Sequence, residues 1–502
     1  MEGKTKPFRL GLRAQLLIVV AAAGVVYSQG RFSELPERGD TAIWDYFAQV
    51  ISRGGVPYRD VVDNKAPLSA YIGAAAIVVT RPFGLRDIYA LRLAYIILAA
   101  LTVGATFLTA ELFFESRRVA ILSAAVMLTF NSFIFWNSAG IQPKTVMVLF
   151  GLLSLCALVK DRPLACGVAG MLSALCWQPG LLFNAAAFIA ETGYFRRWRN
   201  PRIAALILGS LLPLAAFVIY FKAAGALKDF YTWTIDYNAS VYAPRGLRGP
   251  AESLGLFLKI LSKTYSKEVA YFFIGLAGFF MAAFATLFRK SELALRGPQK
   301  QAILVAPLLY LAFCFINLQA GADLIPLLPF VAIFSSLALC SLLSRMSEVV
   351  AKRYSGRLGE GAGRLAFVGL IALICAVNLF DKVGHRRSRS LRDQDAEVAR
   401  MKEFLTPGDE IFVNGPLQIL VLAELQNASK YIYLARGSDE YLREVEPGGF
   451  EGWFESLKAR KPKIIAFSRM KPVHRKEDFM RWAREEYVQH KSKAFSYYVR
   501  KS

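Results

Sequence analysis

The sequence predicts an α-helical polytopic membrane protein of about eleven transmembrane helices, with interfacial helices in its first outside loop and a small C-terminal α/β domain. Three observations predict it. Of the 502 residues, 55% are hydrophobic, above the roughly 45–50% apolar usage of soluble domains. These residues gather in nearly uncharged runs, such as those beginning at Ala14, Val119 and Val305, and a helix of about 20 such residues crosses a hydrocarbon core of roughly 30 Å. After about residue 380 the pattern changes to charged sequence with short apolar stretches.

The formal charge of +23 invites a nucleic-acid reading, but the position of the charges argues otherwise. Lys4, Lys6, Arg9 and Arg13 precede the first apolar run. Further basic groups follow at Arg117 and Arg118; Lys160 and Arg162; Arg196, Arg197, Arg199 and Arg202; Arg289, Lys290, Arg296 and Lys300; and Arg345, Lys352, Arg353, Arg357 and Arg364. Every second loop is basic, which is the positive-inside pattern of a chain with a cytoplasmic N-terminus. The intervening loops and the tail then lie outside the cell or inner membrane, and nucleic acid is excluded as a partner. No small-residue cleavage site follows the first apolar run, so it reads as a span. The six cysteines, Cys156, Cys166, Cys176, Cys314, Cys340 and Cys375, fall in or beside spans and form no disulfide framework or zinc pattern. His385, His474 and His490 lie in the tail without ligand spacing and read as surface residues.

Two domains follow: a membrane domain over residues 1–380, whose first outside loop covers about 30–91, and an extracytoplasmic α/β domain over 381–502. In the tail, EIFVNG, KYIYL and KIIAFS read as strands, and EVARMKEFL and EDFMRWAREE as helices. Sequons stand at Asn238 and Asn427.

The first outside loop is where chemistry is expected. Winding residues 40–53 into a helix puts Ile43, Tyr46, Phe47, Val50 and Ile51 on one stripe, the signature of a helix lying in the membrane interface. Asp45 then points to the opposite, solvated face, while Asp40 sits at the helix start, where a carboxylate caps backbone N–H groups and stays ionised. An ionised carboxylate at the membrane rim can also serve as a base. The loop continues with Arg59, Asp60, Asp63 and Lys65, and Pro67 suits the first turn of a second interfacial helix. Arg92 opens the next span, where an arginine either snorkels to headgroups or binds an anion. Asp236 in the longer outside segment over residues 223–267, Lys144 and Asp323 read either as solvated or anchoring residues or as substrate contacts.

Asp40, the helix after it, GGVPYRD, DNKAPL and FGLRDIYALRL, in that order, resemble the first outside loop of the GT-C membrane glycosyltransferases, the class of protein O-mannosyltransferases and lipid A aminoarabinose transferases. Thr41 and Trp44 stand where that family has a second acid and a tyrosine, and Lys65, Ala66 and Pro67 where it has a lysine-proline step. WQPG at 177–180 and LQAGADLIPLLP at 318–329 resemble later landmarks. The resemblance implies a polyprenyl- or dolichyl-phosphate sugar donor and a lipid, glycan or protein acceptor. Asp40 corresponds to its catalytic acid and Lys65 to a lysine near the donor phosphate. Thr41 in place of an acid leaves a divalent metal an open question, with no cofactor assigned.

A phosphate ester leaves as a stable anion, so the acceptor alone needs a base, unlike glycoside hydrolysis, where two carboxyls share the work. Asp40 is therefore expected to deprotonate the acceptor in an inverting displacement. Lys65, with Arg59 or Arg92, is expected to bind the departing phosphate. Asp45, Asp63, Lys144, Gln178, Asp236 and Asp323 are further candidates for substrate binding. The alternatives are a transporter or flippase of lipid-linked saccharide and a non-enzymatic scaffold. A transporter places ionisable residues near the bilayer midplane, whereas here they gather at the outer rim.

Overall fold

The structure, a computed structural model, describes residues 11–30, 32–37, 39–193, 196, 200–288, 293–353, 363, 365–374, 390–434, 437–467, 476–492 and 494–501. The basic residues at positions 4, 6, 9, 197, 199, 289, 290, 357 and 364, together with Cys375, His385, His474 and the expected 380/381 boundary, lie outside them. The five cysteines inside them are unpaired and buried.

The chain begins with α1 (Leu12–Ser28), α2 (Gly39–Ser52), α3 (Leu68–Thr80) and α4 (Asp87–Phe114), followed by α5 (Arg117–Met127) and α6 (Asn131–Ala139). Next come α7 (Pro143–Val159), α8 (Pro163–Cys176), α9 (Leu181–Glu191) and α10 (Pro201–Ala223). Short α11 (Leu227–Tyr231) and α12 (Ala243–Gly246) flank two π-helical turns, Thr232–Asp236 and Asn238–Tyr242. The membrane region closes with α13 (Pro250–Lys263), α14 (Val269–Phe288), α15 (Pro298–Asn317), a 3-10 turn over Gly321–Leu327, α16 (Leu328–Arg353) and α17 (Leu365–Ile374).

Among the described residues, five helices are long and apolar enough to cross a membrane, or six if α5 and α6, bent by 61°, form one span. Length alone therefore does not reach the eleven expected from apolar runs, because several apolar helices, among them α1, α7 and α8, stop at 17 residues or fewer. The helices nevertheless keep a common polarity. Residues of the basic loops meet at one end, where Arg202 pairs with Glu191 at 2.8 Å and with Asp161, and Lys300 pairs with Glu115. The aspartate-rich loops meet at the other end.

The tail supplies α18 (Leu391–Lys402), β1 (Ile411–Asn414), α19 (Gln418–Ala423), α20 (Ser438–Val445), α21 (Gly449–Ala459), β2 (Ile464–Phe467), α22 (Lys476–Glu486), β3 (Tyr487–Lys491) and β4 (Ser496–Arg500). The sheet order is β1-β2-β4-β3. β1 and β2 run parallel, with Ile411 opposite Ile464, and are almost wholly buried, as covered parallel strands should be. β3 and β4 form an antiparallel hairpin at one edge. The expected strands EIFVNG and KIIAFS are β1 and β2. KYIYL is not a strand: Tyr431 makes one isolated bridge, to Val62 of the first outside loop.

That loop is bound between the helical bundle and the tail. Gln394 exchanges two bonds with the Glu37 backbone, at 2.7 and 2.8 Å, and Arg86 holds Asp395 bidentately at 2.9 and 3.0 Å. Asn427 N–H donates to the Tyr46 hydroxyl at 2.8 Å, and Gln49 donates to Val421 O at 3.1 Å. Tyr46, Phe47, Val50 and Tyr58 share one apolar cluster with Phe412, Leu420 and Trp453 of the tail.

The opposite side of α2 rests on a buried ion pair. Arg92 is fully buried; it donates to Glu37 Oε2 and to Ala139 O, both at 3.1 Å, and also to Phe32 O. Arg92 neither snorkels nor is left for a substrate anion, because two carbonyls and the Glu37 carboxylate inside the fold take its donors. Removing one partner of such a pair strands the other in low dielectric. Arg92→Met is expected to cost about 3–5 kcal/mol, read as a lower unfolding midpoint of the detergent-solubilised protein. A variant as stable as the wild type contradicts this role.

Candidate functional site

The outer end of the bundle carries a cleft of about 330 Å³. It is lined from the first outside loop by Asp40, Trp44, Asp63, Asn64 and Lys65, from the membrane helices by Lys144, Trp177, Gln178, Phe313 and Asp323, from the segment after α11 by Trp233, Tyr237, Asn238 and Tyr242, and from the tail by Tyr431, Tyr433 and Ser438. Six of the ten residues singled out from sequence meet there: Asp40, Asp63, Lys65, Lys144, Gln178 and Asp323.

Asp40 lies in the first turn of α2, one turn before Trp44 on the same helical face. The cap expected of it does not form. Its side chain is exposed and makes no hydrogen bond or ion pair among the described residues. The stretch carrying Asp63 to Lys65 is fixed from both sides. Tyr58, at φ 69°, packs its ring against Phe47, Phe221 and Phe230 at 5.6–5.9 Å and donates its hydroxyl to Lys65 O at 2.7 Å. Val62 N–H donates to Lys430 O of the tail at 2.9 Å. Gln178 and Asn238 both donate to Asn64 O, at 2.9 and 2.7 Å.

Two lysines enter the cleft, each set over an aromatic ring. Lys65 Nζ lies 4.4 Å from the centre of the Tyr242 ring and donates to Asn64 Oδ1 at 2.9 Å. Burial pulls its pKa down, but Tyr242, Asp63 and Asp40 outweigh this and hold it above the ordinary lysine value. Lys144 Nζ lies 4.5 Å from the centre of the Trp177 ring and 3.0 Å from Asp323 Oδ1. Asp323 is fixed in turn by the backbone N–H groups of Gln319 and Ala320, both at 2.8 Å. Burial and the neighbouring Asp40 raise the pKa of Asp63, against the pull of Lys65. Among the described residues no group of three or more His, Cys, Asp or Glu side chains converges as a metal set. A carboxylate that makes no hydrogen bond or ion pair, set beside a charged lysine, can accept a proton while the lysine holds an anion.

Four candidates lie elsewhere. Arg59 is exposed, paired with its neighbour Asp60 at 2.9 Å and bonded to Ala224 O at 3.0 Å. Arg92 is buried beneath α2. Asp236 accepts from the Tyr441 hydroxyl and joins the tail to the segment after α11. Asp45 is not on a solvated face: it is fully buried, because the α6–α7 turn covers the side of α2 that the helical wheel left to water. Ile141 N–H donates to its Oδ1 at 2.9 Å. The turn comes that close because residue 140 is glycine, at φ 144°; a Cβ there would stand 2.3 Å from Asp45 Oδ2. Burial first, and then the Glu37 charge, push the Asp45 pKa well above the carboxylate range, against the Ile141 bond and Arg92. Both sequon amides are also committed inside the fold: Asn238 bonds with Asn64, and Asn427 with Val413 and Ser429. Tyr58, Asn64 and Trp177 lie inside the motifs quoted from the sequence without being singled out there, and Tyr242 carried no signal of its own.

The family model described as DolP-mannose mannosyltransferase matches residues 54–213. No curated protein sequence matches the chain. Among solved structures, ArnT from Cupriavidus metallidurans bound to undecaprenyl phosphate is 11% identical, with a TM-score of 0.59 over 97% of this chain and 98% of that one. The same protein in the apo state gives 12% and 0.61 over the same shares. The oligosaccharyltransferase AglB from Archaeoglobus fulgidus, in complex with an inhibitory peptide and a dolichol-phosphate, is 12% identical with a TM-score of 0.56, over 98% of this chain and 74% of that one. These likenesses establish the fold: the protein is an integral membrane protein with the GT-C architecture expected from its first loop.

A raised folded-state pKa means that the protonated form of Asp45 is the one the fold stabilises. Its contribution is complete below the unfolded pKa of about 3.9 and is lost as pH rises through the folded value. Asp45→Asn keeps the acceptor for Ile141 N–H and removes the ionisation. It is expected to match the wild-type unfolding midpoint at low pH and to equal or exceed it at neutral pH. A midpoint that falls further below wild type as pH rises contradicts a neutral Asp45.

Proposed function

We propose that this GT-C chain is an inverting glycosyltransferase that moves a sugar from a polyprenyl or dolichyl phosphate to an acceptor hydroxyl at the extracytoplasmic membrane face. One observation carries the reading: Asp40, without a bonding partner, and Lys65, held charged, line a single cleft at the end of the bundle opposite the basic loops. Residues 54–213 resemble DolP-mannose mannosyltransferases, which favours mannose as the sugar and dolichyl phosphate or its bacterial counterpart as the carrier. The fold-level likeness to ArnT and AglB, solved with undecaprenyl phosphate and dolichol-phosphate, favours the same class of donor.

In this mechanism the acceptor oxygen attacks the anomeric carbon as Asp40 takes its proton, and the bond from that carbon to the phosphate oxygen breaks. The lipid phosphate departs with the electron pair and is neutralised by Lys65, with Lys144 as the second cation. The roles first expected of Arg59 and Arg92 pass to Lys144, because the two arginines do not line the cleft and are bonded to other partners. Asp63 and Gln178 flank the sugar. Positive-inside logic puts the N-terminus in the cytoplasm and the cleft, with the α/β domain, outside. No observation favours a transporter.

Positioned base catalysis is worth about 10²–10⁴-fold. With dolichyl-phosphate-linked labelled mannose and the detergent-solubilised full chain, Asp40→Asn is expected to lower transfer by that factor. Transfer at the wild-type rate removes Asp40 from the mechanism. Lys65→Met is expected to raise the donor KM and lower kcat, while Arg59→Met leaves both unchanged. The reverse ranking places the phosphate at Arg59.

A further inference from the structure

Away from the transfer cleft, a second cavity holds charges of both signs that have not closed on each other. It measures about 550 Å³ and lies where the end of α2 and the start of α4 meet the tail, lined by Arg53, Arg81, Asp87, Glu424, Leu425 and Gln426. Asp87 is the buried member. It is 5% exposed, accepts from Gln49 of α2 at 3.1 Å, and stands 3.7 Å from the Arg53 guanidinium and 3.8 Å from that of Arg81. Both separations are too long for a hydrogen bond. Arg81 donates to Ser52 Oγ at 3.1 Å, and Arg53 makes no hydrogen bond among the described residues although its side chain is only 21% exposed. Two guanidiniums therefore share one carboxylate and keep most of their donors, in the planar fork that suits a phosphate.

The acid on the tail side is equally unspent. Glu424, just past α19, makes no hydrogen bond or ion pair among the described residues. Arg86, whose charge also reaches Glu424, is held bidentately by Asp395. A bare phosphate in the cavity would meet the Glu424 carboxylate as a like charge. A ligand that carries an anion and a cation a few bonds apart satisfies both walls.

Arg81 also ends an apolar stripe. On α3, Ala75, Val78 and Val79 fall at i, i+3 and i+4 and are exposed, and Phe83, in the 3-10 turn that holds Arg81, is 84% exposed. In an integral membrane protein such a face is covered by acyl chains.

We infer that this cavity binds the headgroup of a zwitterionic, amine-bearing phospholipid, with its phosphate on Arg53 and Arg81, its ammonium on Glu424 and its chains along the stripe over 75–83. Asp87 also holds Gln49, so the lipid seats against the far end of the helix that carries Asp40. Binding there requires nothing of the transfer chemistry.

The test titrates the detergent-solubilised full chain with phosphatidylethanolamine or phosphatidylglycerol of identical chains and reads the bound lipid in native mass spectra. Glycerophosphoethanolamine, the headgroup without chains, serves as competitor. The ethanolamine lipid is expected to bind about threefold or more tightly than the glycerol lipid, and the chain-free competitor does not displace it. Arg53→Gln and Arg81→Gln, which leave Asp87 its bond from Gln49, each weaken binding of the ethanolamine lipid about tenfold; where one variant fails to fold, the other decides. Glu424→Gln, at an exposed position, abolishes the preference between the two lipids without weakening the glycerol lipid. Equal binding of both lipids by the wild type overturns the inference, and so does unchanged binding in the arginine variants. Displacement by glycerophosphoethanolamine overturns it in favour of a site for a soluble phosphate ester.

Discussion

The cleft depends on one helix being gripped on both sides. α2 is too short to be stable alone in water, and its position is set by polar contacts that point in opposite directions. Toward the bundle, Asp45 receives Ile141 N–H, and Glu37, just before the helix, receives Arg92. Toward the tail, Tyr46 receives Asn427 N–H, and Gln49 donates to Val421 O. Buried polar groups must be satisfied, and each of these bonds is directional. Together they restrict how far the helix can roll. Asp40, in the first turn of the same helix, takes part in none of them, so a rigid element presents a carboxylate whose bonding capacity is unspent.

The charges around it divide into structural and available ones. Arg92 is spent on Glu37 and two carbonyls, Arg59 on Asp60, and Lys144 in part on Asp323. Among the described residues Lys65 makes no salt bridge, yet aromatic and acidic neighbours keep it protonated. A lipid phosphate brings its own negative charge and leaves as an anion, so a site with one base and a lysine pair suffices for the proposed chemistry. A second acid adjacent in sequence, for which this chain has Thr41, is not needed for that proton transfer.

Much of this was legible in the sequence. The apolar stripe after Asp40 found α2 to within a residue, Pro67 marked the start of α3, and EIFVNG and KIIAFS found the two parallel strands. What escaped depended on tertiary covering. A helical wheel ranks faces by residue type, and it put Asp45 in water because it cannot see the glycine turn at 140 that closes over it. Arg92 stood at the expected depth, but the partners that bury it come from residues 32, 37 and 139, in two other segments. KYIYL has strand composition, yet its backbone bonds go to loop partners. The β3–β4 hairpin was missed because YVQHK exposes most of its residues at a sheet edge. Lys144 was noticed as an isolated polar residue and Gln178 within WQPG, and only folding set both in one cleft with Lys65.

The most direct measurement is a cryo-EM map of the full chain in a lipid nanodisc with a non-transferable phosphonate analogue of the lipid-linked sugar. The account predicts the sugar in the cleft, with its anomeric carbon facing Asp40 and its phosphonate on Lys65. A phosphonate seated away from Lys65, or an anomeric carbon beyond the reach of any nucleophile touching Asp40, contradicts it.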